Sequence, residues 1–112
     1  MATASPRATE AKRRFVEKLL DSYHLDISIV GVCSFDVEGG ATTRSHYEVP
    51  TKQAFIAAAA ETLIPVEVSK LGTIAPFRVA DPIEASIVVL EDSIDALTSQ
   101  QLQSAGVTVI SV

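Results

Sequence analysis

Residues 27–32 form a short β-branched run, Ile-Ser-Ile-Val-Gly-Val, that reads as a strand buried on both faces, as a parallel sheet requires. Comparable apolar runs follow at 63–68, 85–90 and 107–112. Four such runs separated by helical patterns restrict the chain to a narrow set of layered folds. Pro65 lies inside the second run and offers no ladder donor, so that strand is expected to be an edge, bulged or shortened.

The helical segments are marked by spacing and caps. Ser5-Pro6 offers an N-cap followed by proline at the first helical position. Ala11, Phe15, Val16, Leu19, Leu20 and Tyr23 then recur at helical spacing, with Lys12, Arg13, Arg14 and Lys18 mostly on other faces. Residues 1–4 are expected to be disordered. A second helix is expected over 48–62, with Pro50 tolerable only in its first turn. Residues 54–60 are apolar nearly all round, which predicts cover on several sides. Thr98 with Gln101 forms a capping-box signal, and Gly106 suits the C′ position of a short helix. Residues 33–46 and 69–82 read as loops. The resulting order, α-β-α-β-β-α-β, predicts an α/β domain with a mainly parallel sheet flanked by helices. The division is a basic amphipathic helix over 1–24 and the α/β body over 25–112.

With 112 residues there is room for one domain, and 47% hydrophobic against 5% aromatic predicts an aliphatic, alanine-rich core. The net charge of −5 argues against a general nucleic-acid surface. The charge is uneven. Residues 1–18 hold five basic and two acidic side chains, leaving only Arg44, Lys52, Lys70 and Arg78 against twelve acidic residues in the remainder. One cysteine rules out an internal disulfide, and Cys33, at the end of an apolar run, reads as a buried inert thiol. The chain lacks both a run of ~18–20 apolar residues and a signal-peptide core, which predicts a soluble, cytoplasmic protein.

Four polar groupings fall at predicted strand ends or helix starts. They are Ser34 with Asp36; Thr42-Thr43-Arg44, whose hydroxyls and guanidinium suit an oxyanion; Glu48 with Lys52; and Ser69-Lys70. Glu48 and Lys52 serve equally as a surface ion pair, worth ~0.3–0.5 kcal/mol at i,i+4 spacing. The segment Glu67-Val68-Ser69-Lys70-Leu71-Gly72 is the most informative. It follows a strand, ligands of open α/β sheets bind at the carboxyl ends of strands, and Gly72 frees the backbone to turn. Lys70 there is either a seat for phosphate or carboxylate or a solvated loop lysine. His24 and His46 belong to no zinc or triad pattern, and no glycine-rich nucleotide loop is present. No cofactor or metal is expected. From the residues alone the reading is an α/β domain that binds a small anion.

Five motifs in order carry a resemblance. Gly31-Val32-Cys33-Ser34-Phe35-Asp36, Gly40-Ala41-Thr42-Thr43, Glu48-Val49-Pro50-Thr51-Lys52, Glu67-Val68-Ser69-Lys70-Leu71-Gly72 and Ala105-Gly106-Val107-Thr108-Val109-Ile110 are similar to the C-terminal part of the sensor domain of DeoR-type transcriptional regulators. The resemblance covers residues 25–112. Departures fall at Cys33 and Ser34, where the family pattern has Asn and Gly, at Glu67, where it has Asp, and at Pro65.

The resemblance implies a fold related to ribose-5-phosphate isomerase and a non-enzymatic role in sensing a phosphorylated sugar or derivative. It implies that Lys70 neutralises the ligand, that Asp36 and Glu48 accept from its hydroxyls, and that Thr42, Thr43 and Ser69 orient it, with Lys52 beside them. DNA would be reached only through a helix-turn-helix that this sequence does not show, so an excised piece or natural remnant of a larger regulator is expected. Competing classes are a phosphosugar isomerase-like enzyme and an interaction module using the basic helix over 7–18. A sheet left partly uncovered would favour a homo-oligomer.

Overall fold

The β-branched runs assemble into one sheet, and the core forms on one face of it. In the computed structural model, which describes residues 6–112 and side-chain surroundings from Glu10 onward, the elements in chain order are as follows. Helix α1 (Pro6–Leu20) leads into strand β1 (Leu25–Ile29), then β2 (Ser34–Asp36) and β3 (Gly40–Thr43). Helix α2 (Val49–Ala58) precedes β4 (Ala59–Val66), β5 (Phe77–Ala80) and β6 (Ile87–Leu90). Helix α3 (Ala96–Ser104) and strand β7 (Thr108–Ser111) close the chain. The expectations for residues 1–4 and for the Ser5 cap fall outside the described residues. Among the described residues no helix is long and apolar enough to cross a membrane.

The main sheet is four-stranded, in the order β1-β4-β6-β7, and every neighbouring pair is parallel. A second, antiparallel sheet, β2-β3-β5, lies against one end. The core forms between them. Ile64, Val66, Val88 and Leu90 from the inner face of the main sheet meet Phe35, Ala41, Val79 and Ala80 from the small sheet, with Leu102 of α3. Val49 and Ile56 of α2 pack against the same cluster. On this face the Ser28 and Thr62 hydroxyls, both buried, satisfy each other across β1 and β4 at 3.2 Å.

The predicted parallel α/β architecture is present, with corrections. The first strand is not buried on both faces: β1 is an edge, and Ile27 and Ile29 are 54% and 72% exposed on the outer face. The strand containing Pro65 is neither an edge nor short. It spans eight residues between β1 and β6. It tolerates proline because Leu63, two residues earlier on the same side, accepts from the Val30 amide, and β1 has ended by the level of Pro65. Helix α2 stops at Ala58, since residues 59–62 pair with β1 from the Leu25↔Ala59 register onward. None of its residues is fully buried. The loops expected over 33–46 and 69–82 contain β2, β3 and β5. Helix α3 is capped by Asp95, whose carboxylate accepts from the Thr98 amide at 2.7 Å, rather than by Thr98. Its end matches expectation: Gly106 has φ +88°, and the Val107 amide reaches back to the Leu102 carbonyl.

Helix α1 packs along α2, and the Thr51 hydroxyl donates to Glu17 at 3.0 Å. Phe15 and Leu19 stay exposed on α1 at i, i+4 spacing, and Tyr23, beyond the helix end, is exposed as well.

Candidate anion-binding site

Strands β1 and β4 run parallel, so both present their carboxyl ends at the same edge of the sheet. Ligands of open α/β sheets bind in the crevice outside the carboxyl ends of the strands. Here the crevice is a cavity of about 420 Å³ lined by Val32, Cys33, Arg44, Pro65, Glu67 and Lys70 among others. Val32 and Cys33 follow β1, and Pro65 lies near the end of β4. Lys70 closes the short 3-10 turn Val68–Lys70 after it. Arg44 comes from the residue after β3. Two cations and one carboxylate on apolar walls suit an anion carrying hydroxyl groups.

The cavity is backed by a chain of polar contacts. The Cys33 sulfur is 3.6 Å from the Thr43 hydroxyl oxygen. The same hydroxyl lies 3.3 Å from Glu48, so its single proton is shared between the carboxylate and the Cys33 sulfur, and Glu48 lies 3.9 Å from the Lys52 ammonium. Lys52 in turn donates to the Gly31 carbonyl, which pins the loop after β1. The Thr43 hydroxyl and then the Arg44 backbone amide hold the Cys33 thiol below its ordinary pKa, helped by the Arg44 charge and opposed by burial and by Glu48. Cys33 is half-buried and polar-bonded, which corrects the expectation of an inert buried thiol.

The residues expected to bind a ligand thus divide. Lys70 lines the crevice, whereas Thr43, Glu48 and Lys52 stand behind it, joined to Cys33 by the contacts above. Asp36 does not join them: its carboxylate accepts from the amides of Glu38 and Gly39 at 3.1 and 2.7 Å and shapes the turn between β2 and β3. Thr42 is buried and accepts from the Ala75 amide at 2.8 Å. Ser69 is exposed and lines none of the cavities described here. Arg44, Cys33 and Glu67 complete the cavity. Arg44 was legible from its place beside two threonines, whereas the parts of Cys33 and Glu67 depend on how the strand ends splay.

A larger cavity, about 890 Å³, lies between the β2–β3 turn and α3 and includes Asp36, Glu38 and Asp95 but no basic side chain. Its sign is wrong for an anion. Volume therefore points away from the crevice and charge points to it, and charge decides for this class of ligand.

The chain thus presents a mainly parallel α/β sheet with Lys70, from the turn after β4, and Arg44, from just past the end of β3, lining one crevice. The sequence matches the family described as the DeoR C terminal sensor domain over residues 3–92, and the chain belongs to that family. It is 29% identical over 94 residues to the HTH-type transcriptional regulator GlpR of Haloferax volcanii, covering 84% of this chain and 37% of that protein. It is 26% identical over 96 residues to a putative aga operon transcriptional repressor of Escherichia coli O157:H7, covering 86% of this chain and 36% of that protein. The matched region thus spans little more than a third of either relative.

Proposed function

We propose that this chain is the effector-sensing portion of a DeoR-type transcriptional repressor and that its effector is a phosphorylated sugar or a derivative of one. The observation that carries the proposal is the pairing of Arg44 and Lys70 in one crevice where β1 and β4 end. Lys70 and Arg44 neutralise the phosphate, Glu48 and Glu67 accept from sugar hydroxyls, and Thr43 fixes Glu48. Effector binding biases a two-state arrangement of the full cytoplasmic regulator, and DNA affinity follows from that bias. DNA contact is assigned to a separate helix-turn-helix domain, because the described body carries a strong acidic excess. The role is binding rather than catalysis, in keeping with relatives named as regulators.

The test is a thermal-shift screen of this chain against pentose and hexose phosphates and their unphosphorylated sugars. A ligand at 100 times its Kd stabilises a single site by ~2.7 kcal/mol, which is read as a raised Tm. Stabilisation by phosphorylated members alone supports the proposal. Equal response to the free sugars, or response to none, removes it.

We further propose a homo-oligomer in which a second copy covers the outer face of the main sheet. Ile27, Ile29 and Ile110 on that face, together with Phe15 and Leu19 of α1 and Tyr23 just beyond it, are exposed large apolar residues. Sedimentation should detect concentration-dependent dimers that Ile29→Lys abolishes. A monomer at all concentrations excludes them.

A further inference from the structure

The chain carries few cations outside its first helix, and their distribution is uneven. Of the four basic residues beyond Lys18, Arg78 is paired with Asp81 on the surface. The other three, Arg44, Lys52 and Lys70, surround the loop that follows β1. Lys70 and Arg44 stand on one side, in the 420 Å³ crevice. On the other side lies a second cavity of about 310 Å³, lined by Arg13, Glu48, Thr51, Lys52 and Phe55 with Ile29 and Gly31 of the loop. Each cavity therefore holds two cations and one carboxylate, in a protein whose net charge is −5.

The two cavities share a wall. Gly31 lines one and Val32 and Cys33 line the other. Glu48 and Lys52 of the second cavity connect to Cys33 of the first through Thr43, by contacts of 3.9, 3.3 and 3.6 Å. One carboxylate lines each cavity, Glu48 the second and Glu67 the first, and each is an acceptor for a ligand hydroxyl. Arg13 reaches the second cavity from α1 and lies over the Tyr47 ring at 5.4 Å, which holds its guanidinium at the rim. With Lys52 already paired to Glu48 at 3.9 Å, each pocket keeps one cation in excess of its carboxylate, and one bound anion in each balances it.

We infer that the two cavities form one bipartite site for a ligand with two anionic groups joined by a hydroxylated stem, a sugar bisphosphate in class. The Arg44–Lys70 cavity takes one phosphate and the Arg13–Lys52 cavity takes the other. The inference rests on the sugar-phosphate reading of the first cavity and adds the second anion. It also makes α1 part of the site, through Arg13, so that the second anion ties α1 to the sheet.

Calorimetric titration of the full chain with two pairs of probes tests it: fructose 6-phosphate against fructose 1,6-bisphosphate, and ribose 5-phosphate against ribulose 1,5-bisphosphate. In at least one pair the bisphosphate should bind tenfold or more tightly than its monophosphate. Arg13→Ala and Arg13→Gln should each bring the bisphosphate down to the monophosphate's affinity and leave the monophosphate unchanged. Circular dichroism confirms folding, which Glu17–Thr51 supports without Arg13. Monophosphate binding that depends on Lys70, with no gain for either bisphosphate, overturns the second subsite and leaves the proposed function intact. Arg13 variants that weaken both members of a pair equally also overturn it. Absence of binding by all four probes overturns the inference together with the reading beneath it.

Discussion

The Cys33 sulfur lies 3.6 Å from the Thr43 hydroxyl oxygen, on the wall of the cavity that also holds Arg44 and Lys70. This contact leads the causes that lower the thiol pKa, with the Arg44 amide next. The thiolate is the reactive form, so alkylation by iodoacetamide should show a pH midpoint below that of an ordinary cysteine. Thr43→Val should move the midpoint upward. By linkage, a lowered folded pKa means stability that is fully present above the unfolded thiol pKa and is lost as pH falls through the folded value. A midpoint at the ordinary value, unmoved by Thr43→Val, contradicts the assignment.

Two glycines separate backbone strain from steric contact. Both have positive φ, +76° at Gly40 and +85° at Gly72. A Cβ at Gly40 would fall 2.1 Å from the Ala80 carbonyl oxygen, whereas one at Gly72 meets nothing within 4 Å. Gly72→Ala should cost about 1–2 kcal/mol, the left-handed penalty alone. Gly40→Ala should cost on the order of 3 kcal/mol or more, because β3 and β5 must separate. Urea denaturation of the two variants should rank them in that order.

Acid should loosen the start of α3. The Thr98 backbone amide, and then its hydroxyl, hold Asp95 below its ordinary value of 3.8. A depressed folded pKa contributes stability above the unfolded value that disappears as pH falls through the folded one. The Thr98 amide resonance should therefore titrate with a midpoint below 3.8. Asp95→Asn should keep a cap and abolish that titration. A Thr98 shift that does not change with pH rules the cap out.

The four parallel strands were legible because each contains an aliphatic run, but their ends were not: β1 spans Leu25–Ile29 against an expected 27–32, and β4 starts at Ala59 rather than 63. The small sheet was not legible. Its strands are three or four residues long, and its buried positions include Thr42 and Thr43, whose hydroxyls are used by the Ala75 amide and by Cys33 and Glu48. Burial there leaves no apolar pattern to read. Residues 59–62, Ala-Ala-Glu-Thr, carry no β-branched run ahead of Thr62, and pairing with β1 overrode their local preference. The site was legible in its location, since loops that line it follow the apolar runs. Its membership was only partly so: Asp36 and Lys70 both come within two residues of an apolar side chain, Phe35 and Val68, yet one turns into a hairpin and the other into the crevice.

The central claim is that Lys70 neutralises a bound anion where β4 ends, and calorimetric titration of wild type and Lys70→Ala with an effector sugar phosphate tests it most directly. Removing a charge-assisted contact worth ~1.5–3 kcal/mol should weaken binding roughly ten- to a hundredfold. Stability should hardly change, since Lys70 is exposed. Lys70→Arg should restore only part of the affinity, because a planar fork does not occupy the place of a compact ammonium. Equal dissociation constants for wild type and Lys70→Ala would contradict the account and return Lys70 to the role of a solvated loop residue.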